Sequence, residues 1–218
     1  MTLDFNVDAG EGGPHDAALI ALADSVNIAC GGHAGSPDLM RQTLELAEGK
    51  NVGAHPGYED RENFGRHPLD LAPEKLSTSV AHQIEALAQL SSLHHVKPHG
   101  ALYHQAQGNE ALAQAILDGI SKVLPITKIF TLPGGSLAQL AAEAGHEVVG
   151  EGFLDRGYLP NGQLIPRGQP GDLITNPAQA LLQARGLIAR SDIKTLCVHS
   201  DSPEALKLLQ TIRRECKR

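Results

Sequence analysis

Short β-type runs alternate with helical patterns seven times along this chain, and that rhythm restricts the fold more than any other feature. Strands are predicted near residues 3–7, 25–29, 52–54, 94–97, 128–131, 147–150 and 194–198. Helices are predicted near 15–22, 37–48, 73–91, 109–121, 136–143, 177–189 and 203–215, four of them opened by proline at the first helical position (Pro37, Pro73, Pro177, Pro203). The third carries an apolar stripe, Leu76, Val80, Ile84, Leu87 and Leu90, at spacings of three and four. Strand–helix alternation implies parallel strands with crossover helices. Seven such units without a linker or composition break predict one domain over residues 1–218. Its sheet is either a closed barrel related to the TIM barrel or an open doubly wound sheet. Between Asp155 and Ile174 the rhythm breaks, and "RGYLPNGQLIPR" predicts a hairpin turning at Asn161-Gly162.

Four of the β-type runs end on histidine beside glycine, proline or serine: "NIACGGHAG", "VGAHPGY", "HVKPHGALYH" and "LCVHSDSP". On a βα barrel, functional groups gather where the strands' carboxyl ends meet the βα loops. The first strand would deliver Asn6, Asp8 and Glu11, the second Cys30 and His33, the third His55 and the fourth Lys97 and His99. The sixth would deliver Glu151, Asp155 and Arg156, and the seventh His199 and Asp201. The shared position favours His33, His55, His99 and His199 as site residues, whereas His67, His82, His94, His104 and His146 read as surface or structural histidines. The same reasoning leaves Asp8 as a turn cap, Lys97 as a solvated strand end, and Arg66 and Arg156 as surface charges on the plainer view.

Composition removes several function classes. With a net charge of −7 and 20% charged residues, the chain lacks the basic surplus that nucleic acid or an anionic membrane rewards. No Trp and 3% aromatics argue against a platform for stacking single strands. No run approaches the roughly 18 apolar residues of a membrane span, and the N-terminus lacks the basic and apolar regions of a signal peptide. Cys30, Cys197 and Cys216 are widely spaced and odd in number, as expected of reduced, mostly buried thiols in a cytoplasmic protein.

Asp, Glu, several His and a Lys at one mouth suit hydrolysis or proton transfer. A divalent metal could be held by Asp8, His33 and His55, leaving a position for water. No GxSxG elbow, Walker loop or GxGxxG is present. Cys30 beside a histidine could form a nucleophile pair, although a buried thiol is the simpler reading. "LPGGSLAQL" offers a weak anion cradle, with Gly134-Gly135-Ser136 opening a helix.

The blocks "FNVDAGEG", "VNIACGGHAGSP", "VGAHPGYED…NFGR", "VKPHGALY", "EGFLDRGYLPNGQLIPR" and "LCVHSD" are collinear and span nearly the whole chain. Together they resemble the LamB/YcsF family, whose members serve as the A subunit of a prokaryotic 5-oxoprolinase. The resemblance implies a distorted, TIM-like, seven-stranded parallel (β/α) barrel of the glycoside hydrolase/deacetylase type. It also implies conversion of 5-oxo-L-proline, ATP and water to L-glutamate, ADP and phosphate, together with partner subunits B and C. On the matching positions, Asp8, His55, Lys97, His99 and His199 become the catalytic candidates. Asn6, Glu11, Cys30, His33, Arg66, Tyr103, Glu151, Asp155, Arg156 and Arg167 become the substrate-binding candidates. Lys97 and Arg156 would stabilise developing negative charge, and Asp8 or His99 would activate water or carry a proton to the lactam nitrogen. The chain departs from the family in a shortened stretch after Glu11, in Ser200 where glycine is usual, and in Gly32 where phenylalanine or tyrosine is more common. Two other readings compete: a metal-dependent deacetylase or amidohydrolase acting alone, and a non-catalytic substrate-binding component whose partners carry the ATP chemistry.

Overall fold

A computed structural model of the chain describes residues 3–216; Met1, Thr2, Lys217, Arg218 and the side chain of Cys216 lie outside the described set, and with them the reading of Cys216 as a reduced thiol. The described residues form seven strands and eight helices. The strands are β1 (Asp4–Ala9), β2 (Ser25–Ala29), β3 (Asn51–His55), β4 (His95–Val96), β5 (Lys128–Thr131), β6 (Glu147–Phe153) and β7 (Thr195–Val198). The helices are α1 (Asp16–Leu22), α2 (Pro37–Leu46), α3 (Pro73–Ala88), α4 (Gly100–Gln105), α5 (Glu110–Val123), α6 (Ser136–Glu143), α7 (Pro177–Ile188) and α8 (Ala205–Cys216).

Every strand pairs in parallel with its sequence neighbour, and β1 pairs with β7 from Asp4↔Thr195 to Val7↔Val198. That pairing closes the barrel and rules out the open sheet. Local chemistry sets several helix starts: the Ser36 hydroxyl accepts from Leu39 N, and the Asn109 and Asn176 side chains cap α5 and α7. The α3 stripe of Leu76, Val80, Ile84 and Leu87 is buried, but Leu90 lies past the helix end and is exposed.

Three sequence expectations change. Seven predicted helices become eight, because α4 starts at Gly100 (φ +54°) directly after His99. Helix α8 begins at Ala205 rather than Pro203, because the Ser202 hydroxyl donates to Asp155 instead of capping a helix. The hairpin after β6 is reduced to two isolated antiparallel bridges, Arg156↔Leu173 and Tyr158↔Leu164. Its turn survives: Gly162 has φ +83°, and the Asn161 side chain accepts from Gln163 N.

Alternation along the strands separates two environments. Phe5, Val7, Val26, Ile28, Val96, Leu196 and Val198 face the helices and join one continuous apolar core. The intervening residues fill the barrel and are largely polar, with Phe130 and Phe153 among them. Asp4, Ser25 and Thr195 share hydrogen bonds at the bottom. One layer higher, Asn6 donates to Glu151 and Thr195, while Asn27 donates to Asn6. His95 Nε2 lies 2.7 Å from Asn27 Oδ1, and its ring stacks on Phe130 at 3.9 Å. Burial, together with neighbouring His94 and Lys97, pushes the His95 pKa well below the usual histidine value.

Gly53 makes room for that ring, since a Cβ at this position would overlap His95. Gly53→Ala should therefore destabilise the protein by about 1–3 kcal/mol, read as a lower urea midpoint. Gly108→Ala, where a Cβ meets nothing within 4 Å, should stay within about 0.5 kcal/mol of the parent.

Candidate active site

Alternation also builds the mouth of the barrel. Two residues above Asn6 stands Asp8, and two above His95 stands Lys97; Cys197 and His55 close the same level. Lys97 is 2% exposed, and its ammonium donates to Asp8 Oδ1 (2.8 Å), Cys197 Sγ (3.0 Å) and Asn6 Oδ1 (3.3 Å). Glu151 Oε1 lies 3.0 Å from the same Nζ. Burial alone would lower the lysine pKa, but Asp8 and Glu151 outweigh it and hold the value well above normal. Burial would likewise raise Asp8, yet His55 and Lys97 hold its carboxyl well below the usual range. A solvated strand-end lysine and a turn-capping aspartate are thereby excluded.

Above this level the mouth opens into a cavity of about 910 Å³. Asp8, His55, Lys97, His99 and His199, the five catalytic candidates, all line it. So do Tyr103, Glu151, Arg66, Arg156 and Arg167. Within its wall the Tyr103 hydroxyl and Glu151 Oε2 are buried without a hydrogen-bond partner among the described residues. Arg66 and Arg167 both approach Asp201 at the rim.

His199 is held from behind. Asp155, buried beneath it, lies 3.0 Å from His199 Nδ1 and accepts the Ser202 hydroxyl and the His199 backbone N–H. A carboxylate there makes Nδ1 the donor and leaves the Nε2 lone pair free. Burial would raise the Asp155 pKa; the neighbouring His199 and Ser202 lower it overall. The His199 side chain is 15% exposed, against 1% for His55 and 5% for His99.

The remaining candidates sit behind this front. Asn6 supports Lys97 from below. Glu11 accepts the Ser200 hydroxyl (3.1 Å) and lies 3.0 Å from His33 Nε2. Cys30 is a buried wall thiol whose Sγ faces Ile28 O and accepts from His55 N, and burial pushes its pKa up to about 12. A thiol so buried and hydrogen-bonded is poorly placed to act as a nucleophile, and it does not line that cavity. Arg156 lines the cavity but donates to Asp172 O and Ile165 O, so its guanidinium braces the loop after β6 instead of standing free to meet developing charge. The anion cradle at Gly134-Gly135-Ser136 is closed, because Ser136 N and Leu137 N donate to Gln107 O and Ala106 O. At Gly32, the space a larger side chain would take holds Gln83. His104, a structural histidine on the sequence reading, lines the rim. His95 carries no strand-end signal of its own; its position two residues before Lys97 is the one clue the sequence offers.

Lys97→Met should leave Asp8 and Glu151 buried without their cation and cost about 3–5 kcal/mol, with partial recovery in Lys97→Met/Asp8→Asn, both measured by urea denaturation. Acid should act first through buried histidines, of which His95 is one, and then through buried carboxylates such as Asp155. His95 is depressed in the folded state, so its contribution is present above about pH 6.5 and disappears as pH falls through its folded value. Asp155, also depressed, contributes above about pH 4 and loses that contribution as pH falls through its own folded value. The urea midpoint should therefore begin to decline below about pH 6.5 and fall further below about pH 4.

Comparison with known proteins agrees with this architecture. The 5-oxoprolinase A subunit of Methylococcus capsulatus is 41% identical over 239 aligned residues, covering 98% of this chain and 92% of that protein. The protein of the same name from Symbiobacterium thermophilum is 39% identical, covering 98% and 91%. The crystal structure of a lactam utilization protein from Thermus thermophilus superposes with a TM-score of 0.90 at 38% identity, covering 100% of this chain and 96% of that one. With the LamB/YcsF family profile matching residues 3–218, the chain belongs to the LamB/YcsF family.

Proposed function

We propose that this chain is the A subunit of an ATP-dependent 5-oxoprolinase, opening 5-oxo-L-proline to L-glutamate with partner subunits B and C. The observation that carries this reading is near-full-length similarity, at 39–41% identity, to proteins named as the A subunit of 5-oxoprolinase. The cavity supports it chemically. A lactam presents a cis amide, with N–H and C=O side by side. The unpartnered Glu151 Oε2 would accept that N–H, and the unpartnered Tyr103 hydroxyl would donate to that oxygen. Arg66 and Arg167 at the rim suit the substrate carboxylate or a phosphate.

A five-membered lactam resists hydrolysis; transfer of the ATP γ-phosphoryl group to its amide oxygen, with release of ADP, would activate the carbon to water. C–N cleavage would leave an acyl phosphate, and a second water would release phosphate and glutamate. Lys97, on the cavity floor, would stabilise negative charge gathering on that oxygen. His199, oriented by Asp155, would take a proton from the attacking water through Nε2 and return it to the lactam nitrogen. Deeper burial of His55 and His99 favours His199 as the proton carrier, where the sequence left Asp8 or a histidine such as His99 open. ATP would be engaged by the assembled subunits.

Glutamate release from 5-oxoproline and ATP should require this chain mixed with B and C subunits; a complete, folded mixture that releases none would overturn the reading. In that mixture His199→Ala should lower kcat by about 10²–10⁴-fold. Tyr103→Phe should chiefly raise KM for 5-oxoproline, by about tenfold, the equivalent of one hydrogen bond.

A further inference from the structure

Beside Asp8, the rings of His55 and His99 meet at 90° with His55 Nε2 and His99 Nδ1 only 3.0 Å apart. Their outer nitrogens decide what faces inward. His55 Nδ1 lies 2.7 Å from Lys97 O, and His99 Nε2 lies 2.9 Å from Phe64 O. A carbonyl oxygen only accepts, so each outer nitrogen carries the hydrogen. The inner nitrogens of the neutral rings are then two lone pairs pointing at one another. Phe64 adopts φ +57°, rare for an aromatic residue, in the turn that presents this carbonyl. Backbone thus fixes both rings in a mutually repulsive orientation unless a cation lies between them.

Carboxylates join the same point. Glu11 Oε1 is 3.6 Å from His99 Nδ1, its other oxygen being held by Ser200, and Asp8 Oδ2 is 3.5 Å from His55 Nε2. Ligand atoms around an ion with bonds of about 2.0–2.1 Å stand about 3.0–3.4 Å apart, close to these separations. A proton on His55 Nε2 would serve the N···N pair and Asp8 but not Glu11, whereas a divalent ion would satisfy both nitrogens and both carboxylates together. His33 does not fit as a ligand. Its ring lies parallel to His99 with centroids 3.5 Å apart, and an ion cannot lie in the planes of two stacked rings. Its Nε2 lies 3.0 Å from Glu11 Oε1 and orients that carboxylate.

We propose that Glu11, His55 and His99 form a site for one divalent transition-metal ion, zinc-like in its preference for imidazole and carboxylate, with Asp8 alongside and His33 as the positioning residue. Three of these side chains, Asp8, His55 and His99, line the cavity, so an ion held here would open onto it. The inference stands apart from the lactam reading, because metal binding alone tests it.

The full-length chain, stripped by chelator and confirmed folded by circular dichroism, would be titrated with Co²⁺ followed by visible absorption and with Zn²⁺ followed by calorimetry. The expected result is one equivalent per chain, weakened at least about 100-fold by His99→Ala or Glu11→Gln and about tenfold by His33→Ala. Glu11→Gln keeps the side chain's size and guards against a His99 variant that fails to fold. Absence of binding at about 1,000 times the roughly 0.1 μM protein affinity expected of such a site, or binding unchanged in both ligand variants, would overturn the proposal. So would ¹⁵N spectra showing a shared imidazolium proton between His55 and His99 that Zn²⁺ leaves in place.

Discussion

A buried ammonium organises this molecule. Lys97 sits inside a closed ring of strands, where an unpaired charge would be prohibitive. Asp8 and Glu151 balance it with two carboxylates from β1 and β6, the strands that flank β7, and Asn6 and Cys197 complete its hydrogen bonds. Each of those partners is held in turn: Asn6 by Asn27, Glu151 and Thr195, and Asn27 by His95. The polar interior is therefore one connected network, and the position of the cavity floor follows from it.

Such a filling is unusual, since barrel interiors are commonly packed by branched apolar residues. Here the apolar residues on the outward positions supply the hydrophobic core against the helices. Stability and chemistry are thus assigned to opposite faces of the same strands. That division frees the inward positions to carry ionisable groups without sacrificing the core, provided every one finds a partner. Tyr103 Oη and Glu151 Oε2 are exceptions to that provision, and both belong to residues that line the cavity.

The mouth divides into two chemically distinct halves. On the β6–β7 side, Asp155 and His199 form an oriented dyad with an accessible nitrogen. On the β3–β4 side, backbone carbonyls of Lys97 and Phe64 fix the His55 and His99 tautomers so that their lone pairs converge beside Glu11. Histidines at equivalent strand ends therefore acquire different properties from the group behind each ring. The same holds for the arginines: Arg156 is consumed in bracing a loop, while Arg66 and Arg167 remain at the rim.

The amino-acid order by itself determined the βα rhythm, the helix starts at Ser36-Pro37 and Asn176-Pro177, and the placing of Asp8, His55, Lys97, His99 and His199 at one rim. Those features are local, carried by strand and helix periodicity and by capping chemistry. It could not separate Cys30 or Arg156 from the ligand-facing groups, nor reveal His95, because burial and partner choice depend on residues as far apart as Asn27 and His95. Whether the sheet closed, which nitrogen of each imidazole faced inward, and which of His33 and His99 lined the cavity were decided only by tertiary structure. The physical reason is that a ring's tautomer and a charge's pKa are set by the atoms packed against them, and those atoms come from strands far away along the chain.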